Sequence, residues 1–386
     1  MLKIKKIIRS FIFKSIYILA LFEYSFKNIK IVENKSLLIV KIDAIGDYVL
    51  FRNFLEEIKK SDIYKDYKIT FLGNIVIKDL AENLDKEFID KFIWVDRNNI
   101  NIFKKPLGIF KIINVIHNKF NVVIQSTYSR EVIGDLLVRF SGAETKIGFN
   151  GDYNNISLRE KNKSDKWYTE LISIDSKINF EFYKNRSFFS QILKKNLSIQ
   201  KPSINIDRGI VNDLNLPPKD YIVLFPGAQQ DFRKWPPENF KLIAEYIIKN
   251  FNLDVIICGS NSDKILADII NSGKNARIFD LTGKTNLIHL VSVISKSKLV
   301  ISNDTSGAHI SVALDTPVII LSQFNYYRRF VPYPKEISDK MICLTPNIFN
   351  NLSEEEKVEK FKLGSNENIS LISVEEVKRA IDNIKI

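Results

Sequence analysis

The chain has 386 residues, 45% of them hydrophobic and 26% charged, which gives room for two cores and excludes a fibrous or disordered class. Two cysteines and three histidines without paired spacing exclude a disulfide scaffold and a zinc finger, and fit a reducing compartment. The formal charge of +12 is scattered rather than gathered in one arm and has no RRM-type aromatic motif beside it, so anionic substrates or an anionic membrane surface are expected and nucleic acid is not.

Residues 1–28 mix Lys3, Lys5, Lys6, Arg9 and Lys14 with Ile, Phe, Leu and Tyr. The uncharged stretch from Ser15 to Phe22 falls short of the about 20 apolar residues a membrane span needs, and no convincing signal-peptide cleavage site follows it. Two readings stay open: a basic amphipathic helix lying on an anionic bilayer, or a helix packed on the protein with its lysines solvated. From residue 36 onward strands and helices alternate, the pattern of a parallel sheet. Ser36–Ile42 reads as a buried strand running into Asp43-Ala44-Ile45-Gly46-Asp47 and a helix through about Lys60. Strands are expected at Tyr67–Leu72, Lys91–Val95 and Asn121–Gln125, a helix over Glu131–Phe140, and extended chain over Lys146–Phe149. Residues 150–200, polar with aromatic islands, predict loop and helix.

Pro202, Pro217 and Pro218 bracket a boundary, after which the rhythm restarts. Tyr221–Phe225 is a strand, Pro237–Asn250 a helix, Leu253–Cys258 a strand, and Ser262–Asn271 and Leu287–Ser295 are helices. Residues 298–322, KLVISNDTSGAHISVALDTPVIILS, read as strand, polar turn, short helix and strand, and Ser373–Ile386 as a terminal helix. Two α/β domains with a cleft between them follow from this pattern.

Four segments could carry chemistry. In KIDAIGDYVLF, Asp47 sits at the mouth of a helix, where a carboxylate serves either as a cap or as a base, and Gly46 permits a sharp turn against a substrate. In LFPGAQQDFRKWPPENF, Trp235 is a packing anchor and Pro237 starts a helix. Arg233 and Lys234 are then either solvated or converge with the small-residue turn at Gly227 on phosphate oxygens. Gly259-Ser260-Asn261 after the next strand suits a nucleoside-facing loop and equally any ordinary turn. In the turn Asn303–His309, the helix start points unpaired N–H groups and the positive end of its dipole outward, an anion site that Ser306, Gly307 and Ala308 leave open to a diphosphate. Asp304 and His309 are a candidate ligand and acid there, although a histidine on a short helix also serves structurally.

Taken in order, DAIGD, then PGA…RKWPPENF, then GKTNL…ISNDTSGAHISVALDTPV resembles glycosyltransferase family 9, the heptosyltransferase-like family, across residues 36–335. TYSREVIGDLLVRFSGAETKIGF, residues 127–149, is similar to its acceptor-side segment. The resemblance implies an α/β GT-B fold, two Rossmann-like domains facing a central cleft, here with an N-terminal basic amphipathic helix. The expected divisions are 1–34 for that extension, 35–200 for the acceptor side, 201–370 for the nucleotide-sugar side and 371–386 for a C-terminal helix.

The resemblance implies that Asp47 is the general base on the acceptor hydroxyl. It implies that Arg233 and Lys234 contact the donor phosphates, and that Asp304, Thr305, Ser306, Gly307 and His309 form the turn around the diphosphate. Gly46, Gly227, Gln229 and Gly259 complete the expected donor-binding set, and Arg130 is the candidate contact to an anionic acceptor. One departure stands out: Ser306-Gly307 occurs where the family pattern places Gly first. The implied activity is inverting transfer of a heptose-like sugar from a nucleotide-sugar donor, ADP-linked in the family's best-known members. The acceptor is a lipid-linked or other cell-surface glycan such as lipopolysaccharide. No metal and no cofactor are expected, and the implied location is cytoplasmic, peripheral on the inner face of the membrane. A protein of this fold that binds nucleotide sugars without transferring them is the alternative, and Asp47 together with the basic pair argues against it.

Overall fold

A computed structural model of the chain describes residues 35–100, Lys105, 108–206 and 216–384, together with Ser15 and Ile18. The expected N-terminal basic helix therefore lies outside the described residues. The chain divides into two units, each described by itself: one takes the described residues up to Ile178 with Tyr183–Ser198, the other Asn179–Phe182 and those from Ile199 onward.

The first unit is a six-stranded sheet with helices. Its strands are β1 (Ser36–Lys41), β2 (Lys68–Asn74), β3 (Lys91–Val95), β4 (Val122–Gln125), β5 (Thr145–Phe149) and β6 (Glu170–Ile172), in the order β3-β2-β1-β4-β5-β6. Every pairing is parallel. The helices are α1 (Ile45–Val49), α2 (Asn53–Lys60), α3 (Lys78–Leu84), α4 (Gly108–Ile116), α5 (Val132–Phe140), α6 (Leu158–Ser164) and α7 (Glu181–Ile192). β1 is buried along its whole length, as a central parallel strand covered on both faces must be. Leu38 and Val40 of β1 meet Ile109, Ile113, Leu136 and Val138 from the helices in one apolar core. The single helix expected after Asp47 is two, because tight bonds from Phe51 N–H to Tyr48 O and from Phe54 N–H to Phe51 O interrupt it.

The second unit repeats this plan. Strands β7 (Tyr221–Phe225), β8 (Asp254–Ile257), β9 (Ile278–Asp280), β10 (Val300–Asn303), β11 (Val318–Leu321) and β12 (Met341–Leu344) lie in the order β12-β11-β10-β7-β8-β9, all parallel. The helices are α8 (Pro237–Phe251), α9 (Lys264–Ile270), α10 (Leu287–Lys296), α11 (Ser306–Ala313), α12 (Glu354–Phe361) and α13 (Val374–Asn383). Trp235, Phe240, Ile243 and Ile247 pack with Ile222, Leu224 and Ile257 in its core, which Val377 and Ile381 of α13 complete.

Each sheet reverses its winding once, between β1 and β4 in the first and between β7 and β10 in the second. In open sheets of this kind the connections leaving the carboxyl ends of those two strands diverge to opposite faces, and the crevice they leave is where ligands bind. Three of the four segments picked out above begin at three of these strand ends, the one at Gly259 follows β8, and the segment holding Arg130 begins at the fourth end.

Candidate functional site

The second unit brings its segments together at the β7/β10 reversal. β7 is wholly buried and ends in Pro226-Gly227-Ala228. Asn303, the last residue of β10, spans the gap: its Nδ2 donates to Pro226 O at 2.7 Å and its Oδ1 accepts from Trp235 N–H at 3.1 Å. Trp235 is fixed in turn by the core, with Nε1 donating to Ile372 O at 2.8 Å and its ring edge-on to Phe240. That anchor sets the position of the two preceding cations. Arg233 donates through Nη2 to the Asp304 carbonyl, and the same nitrogen lies 3.4 Å from Asp304 Oδ2. Its Nε is buried without a hydrogen-bond partner among the described residues. Lys234 points elsewhere and pairs with exposed Asp231 at 2.8 Å.

Glycine is required at three places here. A Cβ on Gly227 would come within 2.5 Å of the Asp263 carboxylate, and one on Gly259 within 2.9 Å. That carboxylate is held because it accepts from Ser260 N–H and Oγ at 2.8 and 2.6 Å. A Cβ on Gly307 would meet the Phe225 ring at 2.8 Å, since the start of α11 rests on the last residue of β7. Position 306 is partly exposed and takes a hydroxymethyl group. The Ser-Gly order thus keeps glycine where the backbone meets the strand. Thr305 is extended at the N-cap, and Ser306 and Gly307, as the first turn, present N–H groups with no intrahelical acceptor. Asp304 is buried beneath this turn, its Oδ2 accepting from Ser322 Oγ at 3.3 Å. Gln229 lies exposed on the loop after Gly227. His309 is buried, with Nδ1 2.5 Å from the Tyr333 hydroxyl. Burial pushes its imidazole down to about 4, Asp304 opposing and Arg233 adding to the shift, so the ring is neutral near pH 7.

In the first unit Asp47 lies half-buried in the first turn of α1, just past buried Gly46. Next to it Tyr48 donates to Asp85, which also pairs with Arg52 at 2.7 Å, so α1 is tied to the end of α3. The turn also holds a group that motif reading passed over. Lys41, fully buried at the end of β1, donates to Ser126 O at 2.8 Å and pairs with Asp43 at 2.8 Å, and Thr127 Oγ1 donates to Asp43 at 2.6 Å. Burial raises the Asp43 carboxyl, yet Lys41, the Thr127 hydroxyl and Arg97 together outweigh this and hold it below the usual carboxylate range. A lysine closing an apolar strand two residues before an aspartate was the available signal. The ends of β1 and β4 are thereby joined by charge.

Arg130 requires a correction. It has no exposed surface; its guanidinium pairs with Asp165, lies 3.9 Å from Asp135 and stacks 4.8 Å from the Tyr168 ring. Burial works against its charge, but Asp135, Tyr168 and Asp165 hold it above its ordinary range. It is an interior tie between α5 and the end of α6, not a surface for an acceptor. Nearby, Arg97 is a half-exposed cation at the same sheet end, pairing with Glu131 at 2.5 Å.

Among the described residues no cluster of three His, Cys, Asp or Glu is placed to hold a metal ion, and no helix is long and apolar enough to cross a membrane. Comparison with known proteins adds to the geometry. The family model for glycosyltransferase family 9 (heptosyltransferase) matches residues 110–361, more than half of the chain. Lipopolysaccharide heptosyltransferase 3 of Escherichia coli is 24% identical over 297 residues, covering 72% of this chain and 80% of that protein. The fold is similar to that of a glycosyl transferase family 9 structure from Veillonella parvula, with a TM-score of 0.70, 20% identity, and 91% and 97% of the two chains covered. It is similar also to E. coli heptosyltransferase WaaC with ADP, with a TM-score of 0.61, 17% identity, and 90% and 97% covered. At these identities the solved structures speak to the fold, and the fold is GT-B.

Proposed function

Because this chain belongs to glycosyltransferase family 9, the heptosyltransferase family, and is a glycosyltransferase by that membership, we propose that it moves a heptose-like sugar from an ADP-linked donor to a lipopolysaccharide or other cell-surface glycan, with inversion and without a metal. The donor diphosphate rests on the N–H groups at the start of α11 and is clamped by Arg233, with Lys234 swinging from Asp231 to join it. Gly227, Gln229 and Gly259 line the nucleoside side. Asp47 takes the proton of the acceptor hydroxyl as that oxygen attacks the anomeric carbon, and the bond to the diphosphate oxygen breaks on the opposite face. The cation and helix N–H groups stabilise the departing diphosphate, the role a metal ion fills elsewhere. The net charge of +12 suits an acceptor embedded in an anionic membrane surface.

One observation carries this reading: Arg233, Asp304 and the Gly307 turn, up to 74 positions apart in the chain, converge at the reversal point of one sheet. Titration calorimetry with ADP, UDP and GDP tests it. ADP is expected to bind, with Arg233→Ala weakening it by roughly 10-fold or more, as for a hydrogen bond to a charged group. Asp47→Asn should bind ADP like the parent but turn over roughly 10²–10⁴-fold more slowly. Turnover that survives in Asp47→Asn removes the base, and no binding of any of the three nucleotides removes the donor site. Turnover lost on chelation with EDTA removes the metal-independent step.

A further inference from the structure

Tyr333 lies between β11 and β12 in a segment that carries no recognised motif. Its hydroxyl is 2.5 Å from His309 Nδ1, and among the described residues it has no other hydrogen-bond partner. Both side chains are buried, and the phenol ring is held edge-on against Phe180 at 5.0 Å. Phe330 packs against the imidazole on another side, 6.2 Å between centroids. The charged groups acting on the pair are Asp304, which acts on both rings, and Arg233, which acts on the imidazole.

A neutral imidazole has one donor and one acceptor nitrogen, and the bond made by one fixes the role of the other. If Nδ1 carried the proton, it would donate to the phenol oxygen and leave the buried phenol hydrogen without an acceptor. If Nδ1 is bare, the phenol donates to it and both groups are satisfied; the proton then sits on Nε2. The one hydrogen bond of the imidazole among the described residues is through Nδ1, which leaves Nε2 for a ligand. Both groups stay uncharged near neutral pH: burial holds the His309 ring down to about 4 and keeps the Tyr333 phenol well above its ordinary range.

We propose that Tyr333 is a positioning residue that fixes His309 as the Nε2–H tautomer, so that His309 acts on the bound donor as a neutral hydrogen-bond donor and not as an acid. The proposal rests on the donor-site reading for the ligand, while the tautomer itself is a property of the free protein. A neutral donor adds a hydrogen bond to a diphosphate or sugar oxygen beside the positive charge that Arg233 already supplies. It also leaves proton removal to the other unit, where Asp47 serves.

The test is a long-range proton–nitrogen NMR correlation across the histidine rings of uniformly labelled full-length protein. With only three histidines in the chain, His309 is assigned by its loss in His309→Gln. The expected result is a single tautomer with the proton on Nε2 in the parent. Tyr333→Phe, which keeps the ring against Phe180 and removes only the hydroxyl, should let the two tautomers interchange and weaken ADP roughly 3- to 10-fold, the loss of about one hydrogen bond. A parent ring protonated on Nδ1, or a Tyr333→Phe ring still fixed on Nε2, overturns the proposal. Absence of ADP binding in the parent overturns the donor reading separately, since the tautomer measurement needs no ligand.

Discussion

His309 is a base that the fold prevents from charging, and stability should register that. Its folded pKa, about 4, is depressed from the ordinary 6.5. Between these values the unfolded chain binds a proton that the folded chain does not, so stability falls as pH drops from 6.5 toward 4 and levels off below. The depression corresponds to at most about 3 kcal/mol. Urea unfolding at pH 7, 5.5 and 4.5 should show this loss in the parent and a shallower pH slope in His309→Gln; parallel slopes would mean the ring is not desolvated. The same scale shows what sequence could tell. Asp47, Arg233 and Gly307 stand in ordered strand-end motifs and were legible as candidates for the proposed site. Arg130 was not, because its pairing depends on Asp165, 35 positions away on another element. Nothing local distinguishes an arginine facing an acceptor from one sealed among carboxylates. Lys41 and Asp43 were visible as letters, but their union with Ser126 and Thr127 needed β4 beside β1.

At the level of elements, the site depends on how closely α11 sits against β7. Gly307→Val should force the helix start off the Phe225 ring, costing about 1–3 kcal/mol, as overpacking does, and weakening ADP with it. Ser306→Gly, at a partly exposed position, should change stability within about 0.5 kcal/mol. Thermal melts of the two variants, with and without ADP, separate these outcomes; equal melting points would mean the helix start tolerates bulk at 307. The central strands were legible because SLLIVK, YIVLF and VIIL are runs covered on both faces. The edge strands β6, β9 and β12 were not, being three or four residues long and partly exposed, too short to show a period. Helix α7 was only half legible, since its Phe182, Phe188 and Phe189 looked like islands in a polar stretch although the fold buries each of them.

Across the whole molecule, the alternation of strand and helix gave away two α/β units, and the family motifs gave away their class. Strand order is a different matter. β1 pairs with β4 and β7 with β10 across long stretches of chain, and such pairing is decided by which helices cover which face. The second unit also holds the chain's two sulfhydryls. Cys258, just past β8, is wholly buried, its thiol pushed up to about 12 by burial, and Cys343 lies partly exposed in the edge strand β12, its thiol likewise raised. A thiol held protonated reacts slowly, and Cys258 is covered as well. In the folded protein a maleimide dye should therefore leave Cys258 untouched and label Cys343 slowly, and both groups should label once guanidinium unfolds it; native labelling of Cys258 would show it open. This makes the parent a quiet background for brief labelling. A single cysteine introduced on the surface of each unit would be the fastest handle a fluorophore finds, so distances between the units can be followed through a catalytic cycle after a short labelling time.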